Sequence, residues 1–214
     1  MSIGLTTIFS LKGGAGKTSL SVAMSMELER HNQEVPIISN DPVSIIETVM
    51  GNNRGWILPQ GQEFPAELKR DSDYILDLGG YLEKRIIDVI KKSKTVIIPT
   101  PSDYASIQAT ILTVNDVKKL NKNLILVVNR IDKKEFYQFY EIIRDTCGSF
   151  PVFPIKNSKA FENCQIQKKS IYQMMEDEPV RKRSYSEVQS QLEKIINHLK
   201  EEFRIVLQKI RKEK

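Results

Sequence analysis

The chain has 214 residues, of which 40% are hydrophobic and 28% charged, and its formal net charge is +5 at pH 7. This length fits one domain with or without an appendage, and the composition is typical of a soluble globular protein. No apolar run approaches the roughly 20 residues that span a bilayer. The first residues also lack the basic start and cleavage site of a secretory signal. We therefore expect a cytoplasmic protein.

The positive charge is unevenly placed. Residues 181–214 hold 10 Lys and Arg against 5 Asp and Glu, whereas residues 1–180 hold 22 of each. Such asymmetry favours a polyanion or an anionic surface as a partner, although a solvated basic helix face explains it equally well.

Short apolar runs alternate with longer helical patterns along the chain. The runs predict strands buried on both faces, at 5–9, 35–39, 74–78, 95–100, 124–129 and 152–155. Between them, crossover helices are predicted at 18–31, 81–93, 103–121 and 134–147. The alternation predicts a doubly wound, mostly parallel α/β sheet with helices on both faces. Residues 51–72, rich in Gly and Pro, predict a loop with room for one turn of helix.

The last segment predicts a long amphipathic helix. Apolar residues step by three or four from Val188 to Ile210, with charges between them. The S-x-x-E spacing at 184–187 is that of a capping box, which places the helix start near Ser184. We assign 1–180 to the main domain and 181–214 to this basic helix, as part of the same domain. The body of the domain, a second copy or a membrane must cover its apolar stripe.

Residues 10–19, SLKGGAGKTS, lie between a predicted strand and a predicted helix, which is the context of a phosphate-binding loop. Lys17 would reach the β- and γ-phosphates of a nucleotide, the Thr18 hydroxyl would bind Mg²⁺, and Ser19 would donate to the α-phosphate. Backbone N–H groups and the helix N-terminus would surround the phosphates. The residues that form this cradle are Gly13, Gly14, Ala15 and Gly16.

The usual G-x-x-x-x-G-K-[ST] spacing is not satisfied, because position 11 is leucine. The sequence K-G-G-x-G-K-[ST] resembles the deviant Walker A motif of the ParA/MinD family of P-loop ATPases, and the resemblance covers most of the chain. It implies that two subunits enclose two ATP molecules and that Lys12 reaches the partner's nucleotide. A cation placed in trans would act like an arginine finger and make dimerisation depend on ATP. The alternative is a phosphate contact within one subunit.

The resemblance also assigns an aspartate after the second predicted strand. Asp41 falls on the second Asp of the family's D-x-D-P motif, which is expected to position the attacking water. The motif here reads Ser39-Asn40-Asp41-Pro42, and Val43 replaces the Gln that often follows. These departures leave the assignment in place and indicate altered surroundings. A turn-forming Asp before Pro is the alternative.

The run YILDLGG at 74–80 resembles a Walker B strand. Asp77 would hold Mg²⁺ through a water, and Gly79 and Gly80 would let the backbone approach the γ-phosphate. Asn129, at the end of LILVVN, corresponds to the family's adenine-recognising Asn, since an amide carries both a donor and an acceptor. A turn-forming Asn is the alternative there.

ATPases of this family act on one of two surfaces. ParA-like members bind nonspecific DNA through Lys and Arg, whereas MinD-like members insert a C-terminal amphipathic helix into the membrane. The stripe that continues in phase from Val188, and the two glutamates at 201–202, favour a structural helix and DNA. The residues expected to contact DNA phosphates are Arg181, Lys182, Arg183, Lys194, Lys200 and Arg204.

The sequence therefore predicts a DNA-partition ATPase that uses ATP and Mg²⁺, with Lys12, Lys17 and Asp41 as catalytic residues. It would form a homodimer with ATP, bind DNA nonspecifically in the nucleoid and hydrolyse ATP when stimulated by a centromere-binding, ParB-like protein. Two other predictions remain open. One is a MinD-like switch at the membrane; the other is a nucleotide-dependent scaffold that hydrolyses poorly, suggested by the altered surroundings of Asp41.

Overall fold

The computed structural model describes residues 2–80 and 82–212, without the side chains of Tyr104 and of residues 202–212. Within this part of the chain, seven strands form one sheet. The strands are β1 (Leu5–Phe9), β2 (Ile37–Ser39), β3 (Gly55–Ile57), β4 (Tyr74–Leu78), β5 (Thr95–Pro101), β6 (Leu124–Asn129) and β7 (Val152–Ile155). The α-helices are α1 (Lys17–Arg30), α2 (Ile46–Met50), α3 (Lys84–Lys92), α4 (Tyr104–Leu120), α5 (Lys133–Cys147), α6 (Ala160–Gln167), α7 (Ile171–Asp177) and α8 (Lys182–Lys212).

All described strand pairs are parallel, and the strand order is β3-β2-β4-β1-β5-β6-β7. Helices α1, α2, α6, α7 and α8 bury their apolar residues on one face of the sheet, and α3, α4 and α5 on the other. The predicted doubly wound α/β fold with a long C-terminal helix is confirmed. Because β1 lies between β4 and β5, the chain reverses its winding direction beside β1, where such sheets bind ligands.

The prediction for 51–72 is wrong in one respect: the segment contains the edge strand β3 and, among its described residues, no helix. β3 pairs with β2 and packs against α2. A Cβ atom on Gly55 would lie 2.5 Å from Ile46 Cγ2, so only glycine lets the strand approach that helix. The patterns of this three-residue strand and five-residue helix are too short to show a period.

Helix α8 begins at Lys182, two residues before the predicted start near Ser184 and directly after a 3₁₀ turn at Pro179–Arg181. The Ser184 hydroxyl donates to the Arg181 carbonyl at 3.0 Å, so the predicted capping box is wrong. The capping box that the structure does form is at Ser170 and Gln173, at the start of α7.

The apolar stripe of α8 packs on its own chain as far as Leu199. Leu192, Ile195 and Leu199 are fully buried. The buried Lys94 amine also donates to the Leu199 carbonyl at 3.1 Å, which ties α8 to the start of β5. The body of the domain therefore covers this stretch, and the predicted stripe from Phe203 onward lies outside the described side chains. No helix among the described residues combines the length and apolar character needed to cross a bilayer.

Replacing Leu192 by alanine tests the packing of α8. Leu192→Ala is expected to lower the free energy of unfolding by about 3 kcal/mol, because a fully buried leucine leaves a cavity. Lys194→Ala, two residues later on the exposed side, is the matched control and is expected to change it by less than about 0.5 kcal/mol. Urea unfolding measures both values. Equal effects of the two substitutions would show that α8 does not pack as described.

Candidate nucleotide-binding site

The glycine-rich loop joins the end of β1 to the start of α1 at the carboxyl edge of the sheet. Gly14 and Gly16 have φ angles of 70° and 87°, in the left-handed region that favours glycine. Gly16 is the N-cap of α1, and no side chain caps the helix there. The first N–H groups of α1 are therefore left for another acceptor, and a loop of this form places them toward an anion.

Asn129 supports this loop from the end of β6. Its Nδ2 donates to the Ala15 carbonyl at 2.8 Å, and a Cβ atom on Gly16 would lie 2.8 Å from the same nitrogen. The left-handed residue of the following turn is Arg130, with φ 56°, so Asn129 itself does not form the turn. Within the described residues the buried Asn129 Oδ1 has no hydrogen-bond partner, which leaves an acceptor for a ligand. Its role in adenine recognition stays a prediction.

Thr18 and Asp77 meet where α1 begins and β4 ends. The Thr18 hydroxyl donates to Asp77 Oδ2 at 2.7 Å, and Asp77 Oδ1 has no hydrogen-bond partner in the described part of the chain. Asp77 is 2% exposed, and this burial raises its pKa to about 6, against the opposing effects of the Thr18 hydrogen bond and the Lys17 charge. A hydroxyl beside a buried carboxylate with a free oxygen is the kind of oxygen-ligand pair that Mg²⁺ uses.

Lys17 lies between the loop and the two aspartates. Its amine donates to the Lys12 carbonyl at 3.4 Å. Burial lowers the pKa of Lys17, while the nearby charges of Asp77 and Asp41 act in the opposite direction. The ammonium is thus partly desolvated, which strengthens its attraction for a phosphate.

Lys12 occupies a different position in the same loop. Its backbone N–H donates to the Ser10 hydroxyl at 3.3 Å, and within the described residues its ammonium forms no hydrogen bond or salt bridge. A hydrogen bond from Ser106 is the main cause that lowers the pKa of Asp103, and the charge of Lys12 contributes a smaller effect. The charge of Lys12 thus acts on Asp103, the residue that caps the start of α4.

Asp41 is placed near Lys17, at the end of β2, and also shapes its own turn. The Val43 N–H donates to Asp41 Oδ1 at 3.0 Å, so the turn-forming interpretation is correct for one carboxylate oxygen. The charge of Asp41 acts on both Lys17 and Asp77, which places the carboxylate at the same site as the loop. Its role in positioning water stays a prediction.

Sequence reasoning missed three polar contacts around the loop. Gln165 on α6 donates to the Ser19 hydroxyl at 3.2 Å, which leaves the Ser19 proton for another acceptor. The Ser39 hydroxyl donates to the Asp77 carbonyl at 3.2 Å, and the Asn40 side chain binds the backbone of Gly79. Ser39 was visible only as a departure from the D-x-D-P motif and Asn40 only as its variable residue, since their partners lie more than 35 residues away along the chain.

The residues predicted to bind DNA do not form one cluster. Arg181 is half-buried and pairs with Glu178 at 2.8 Å. Lys200 is partly buried, and this burial lowers its pKa. Lys182 is exposed, and the side chain of Arg204 lies outside the described residues.

Arg183 and Lys194 are the exposed cations that share a face of α8. They are eleven residues apart, about three turns or roughly 16 Å along the helix. Glu187 lies on the same side and pairs with Lys156 at 2.7 Å. DNA contact by this face stays a prediction.

A cluster of Glu27, His31 and Glu193 lies away from the loop, with ligand-type atoms within 4.8 Å of one another. Arg30 connects the three groups: it donates to Glu27, to Glu193 at 2.8 Å, and lies 2.9 Å from His31 Nε2. A guanidinium already bonded to the group argues against a metal there. We assign the cluster to an ion-pair network between α1 and α8.

Comparison with known families identifies this architecture. A model described as the CobQ/CobB/MinD/ParA nucleotide binding domain matches residues 6–171. The chain belongs to this family. The ParA/MinD resemblance predicted from the loop is thereby confirmed, and a search of curated proteins found no significant match.

Solved structures of the family share the fold. A complex of Cyanothece McdA with ATP superposes with a TM-score of 0.67 at 16% identity, over 95% of this chain and 97% of that one. MinD of Aquifex aeolicus gives 0.60 at 19% identity, over 81% and 90%. A putative plasmid partition protein of Borrelia burgdorferi B31 bound to AMPPNP gives 0.53 at 17% identity, over 78% and 90%. These identities support a common fold and leave the individual role open.

The raised pKa of Asp77 predicts a pH-dependent effect of Asp77→Asn on the stability of the ligand-free protein. A free Asp has a pKa of 3.8, so the protonated form of Asp77 stabilises the fold below that pH and the contribution is lost as pH rises through about 6. Asp77→Asn has no titrating carboxyl group at this position, so its stability does not fall in this way as the pH rises. Relative to wild type its stability should rise by roughly 2 kcal/mol between pH 4.5 and 7.5, because about a third of the full effect is already present at pH 4.5.

Urea unfolding in EDTA at pH 4.5, 6 and 7.5 measures this difference. Asp71→Asn, at an exposed position, controls for the removal of one negative charge. A stability difference between Asp77→Asn and wild type that stays constant across these pH values would contradict the prediction.

Proposed function

We propose that this protein is a Mg²⁺-dependent ATPase that switches between a monomer and an ATP-bound homodimer and acts in DNA partition. The observation that carries the proposal is the Thr18–Asp77 pair, with its buried free oxygen, beside an uncapped helix N-terminus and two lysines of one loop. This set of groups suits a triphosphate and its cation. The structures bound to ATP and AMPPNP among its structural neighbours support the same ligand.

Each group has a distinct task in this proposal. The loop N–H groups and Lys17 bind the phosphates, while Thr18 and Asp77 hold Mg²⁺. The bound cation would neutralise charge that develops on the phosphate oxygens. Asp41 accepts a hydrogen bond from the attacking water and orients it. Lys12, whose ammonium is unpaired in the described part of one subunit, contacts the partner's nucleotide.

Lys12→Ala tests the role in trans. It should bind ATP with an affinity within a few-fold of wild type and yet fail to dimerise. Its hydrolysis rate should fall by about 100-fold or more, because the second subunit no longer supplies a cation.

Asp41→Ala should still dimerise with ATP and should hydrolyse it slowly. Light scattering after gel filtration, with ATP, measures the dimer, and phosphate release measures hydrolysis.

Lys122→Ala, which removes an exposed lysine elsewhere, is the control and should behave like wild type. A monomeric Lys12→Ala protein with normal hydrolysis would show that Lys12 acts within one subunit. A wild-type dimer that never releases phosphate, with or without DNA, would favour the scaffold alternative.

The proposed surface is nonspecific DNA, and the proposed regulator is a centromere-binding, ParB-like protein that stimulates hydrolysis. Arg183 and Lys194, two exposed cations on one face of α8, support contact with phosphates, and dimerisation would double their number. The similarity to a plasmid partition protein is consistent with this role. The packing of α8 on its own chain through Leu199 argues against membrane insertion of residues 182–199.

The DNA contact is tested by the double variant Arg183→Glu/Lys194→Glu. With ATP present, its affinity for a mixed-sequence duplex should fall by about tenfold or more, and wild-type binding should weaken steeply between 50 and 200 mM salt. Lys91→Glu/Lys92→Glu, at exposed positions of α3, makes the same change in charge and should have a smaller effect. Gel shift measures DNA binding. ATP-dependent sedimentation with anionic vesicles, without DNA binding, would favour the MinD-like alternative.

A further inference from the structure

The turns that follow β2 and β4 are connected beyond the end of their strand ladder. The last paired residues of these strands are Ser39 and Asp77. After this pair, Asn40 Nδ2 donates to the Gly79 carbonyl at 3.1 Å, and the Gly79 N–H donates to Asn40 Oδ1 at 2.9 Å. One side chain thus binds both the N–H and the carbonyl of one residue, in the manner of a neighbouring strand.

Ser39 adds two hydrogen bonds to the same connection. Its hydroxyl donates to the Asp77 carbonyl at 3.2 Å and accepts from the Asp41 N–H at 3.2 Å. Ser39, which replaces the first Asp of the D-x-D-P pattern, and Asn40, at its variable position, therefore supply four hydrogen bonds between or within these turns. Asp41 follows these two residues directly in the chain and accepts a hydrogen bond from the Val43 N–H within the same turn.

The Gly79 peptide also lies against the phosphate-binding lysine. A Cβ atom on Gly79 would lie 3.9 Å from Lys17 Nζ, and Gly80 follows with φ 90°. The two turns joined by Asn40 are thus the turn that carries Asp41 and the turn that approaches Lys17. A shift of one turn against the other would change the position of the Asp41 turn relative to Lys17.

We propose that Asn40 is a positioning residue, which holds the turn of Asp41 and the turn of Gly79 as one unit and so fixes the Asp41 carboxylate for hydrolysis. This inference rests on the proposed ATPase function. An amide suits the task because it is both donor and acceptor, whereas a carboxylate or an aliphatic side chain cannot make both bonds. Small displacements of a catalytic group lower the rate of reaction strongly, even when binding is kept.

The test compares Asn40→Ala with Asn53→Ala, which removes an exposed asparagine from the loop between α2 and β3. Asn40→Ala should lower kcat for ATP hydrolysis by about 10- to 100-fold and leave KM within about threefold, because the groups that bind phosphate remain. Asn53→Ala should match wild type in both. Asn40 is only partly buried and lies outside the two apolar cores, so the variant is expected to fold.

A double-mutant cycle separates positioning from general structural support. If Asn40 acts through Asp41, Asn40→Ala should cause no further loss of the residual rate in an Asp41→Ala background. Amide hydrogen exchange in the ligand-free protein gives a readout that needs no activity. The Gly79 amide should be protected in wild type and exchange about tenfold faster or more in Asn40→Ala.

The outcomes distinguish this inference from the proposed function. An active wild type with unchanged kcat in Asn40→Ala, a change in KM alone, full additivity in the cycle, or unaltered exchange at Gly79 would each overturn the role of Asn40 and leave the ATPase intact. A wild type that binds ATP and does not hydrolyse it under any condition would overturn the proposed function and the positioning role with it.

Discussion

The contact on which the site depends is the hydrogen bond of 2.7 Å between Thr18 and Asp77. It joins the first turn of α1 to the end of β4, and it holds a carboxylate that is almost fully removed from solvent. A buried carboxylate with one free oxygen is costly for a fold unless a cation or a proton meets it. The raised pKa of Asp77 is the sign of that cost in the ligand-free protein. The free oxygen of Asp77 is therefore explained by a bound cation, which the protein itself does not provide.

The sheet places the other groups around this pair. Because all described strands are parallel, the residues that end β1, β2, β4 and β6 meet at one edge, and these ends carry the loop, Asp41, Asp77 and Asn129. Helices on both faces bury the strands and leave that edge open. Three contacts that support the site join a side chain to backbone atoms: Asn129 to Ala15, Asn40 to Gly79, and Ser39 to Asp77. One partner in each of these contacts is a backbone atom, whose position does not depend on a side-chain rotamer.

The sequence was most informative where its signals are local. Buried parallel strands are continuous apolar runs, so six of the seven described strands were predicted, including the three-residue β2, which lies within the apolar run 35–39. The loop was predicted because its glycines, lysines and Thr18 are adjacent. The edge strand β3 and helix α2 were missed because each is shorter than one readable period. Contacts between distant segments were also beyond reach: Asn129 and Ala15 are 114 residues apart in the chain. The pairing of Arg181 with Glu178 shows likewise that a basic residue counted from composition is not always a free charge.

Helix α1 has a further consequence for the molecule. It starts at Lys17, in the phosphate-binding loop, and ends at Arg30, which bonds Glu193 on α8 at 2.8 Å. Residues 20–28 between these ends are all buried, so the helix has no exposed stretch along which it could bend independently of its neighbours. Nine buried residues in close packing make it a stiff rod of about 20 Å. The phosphate-binding loop and the C-terminal helix are thus attached to the two ends of one packed helix.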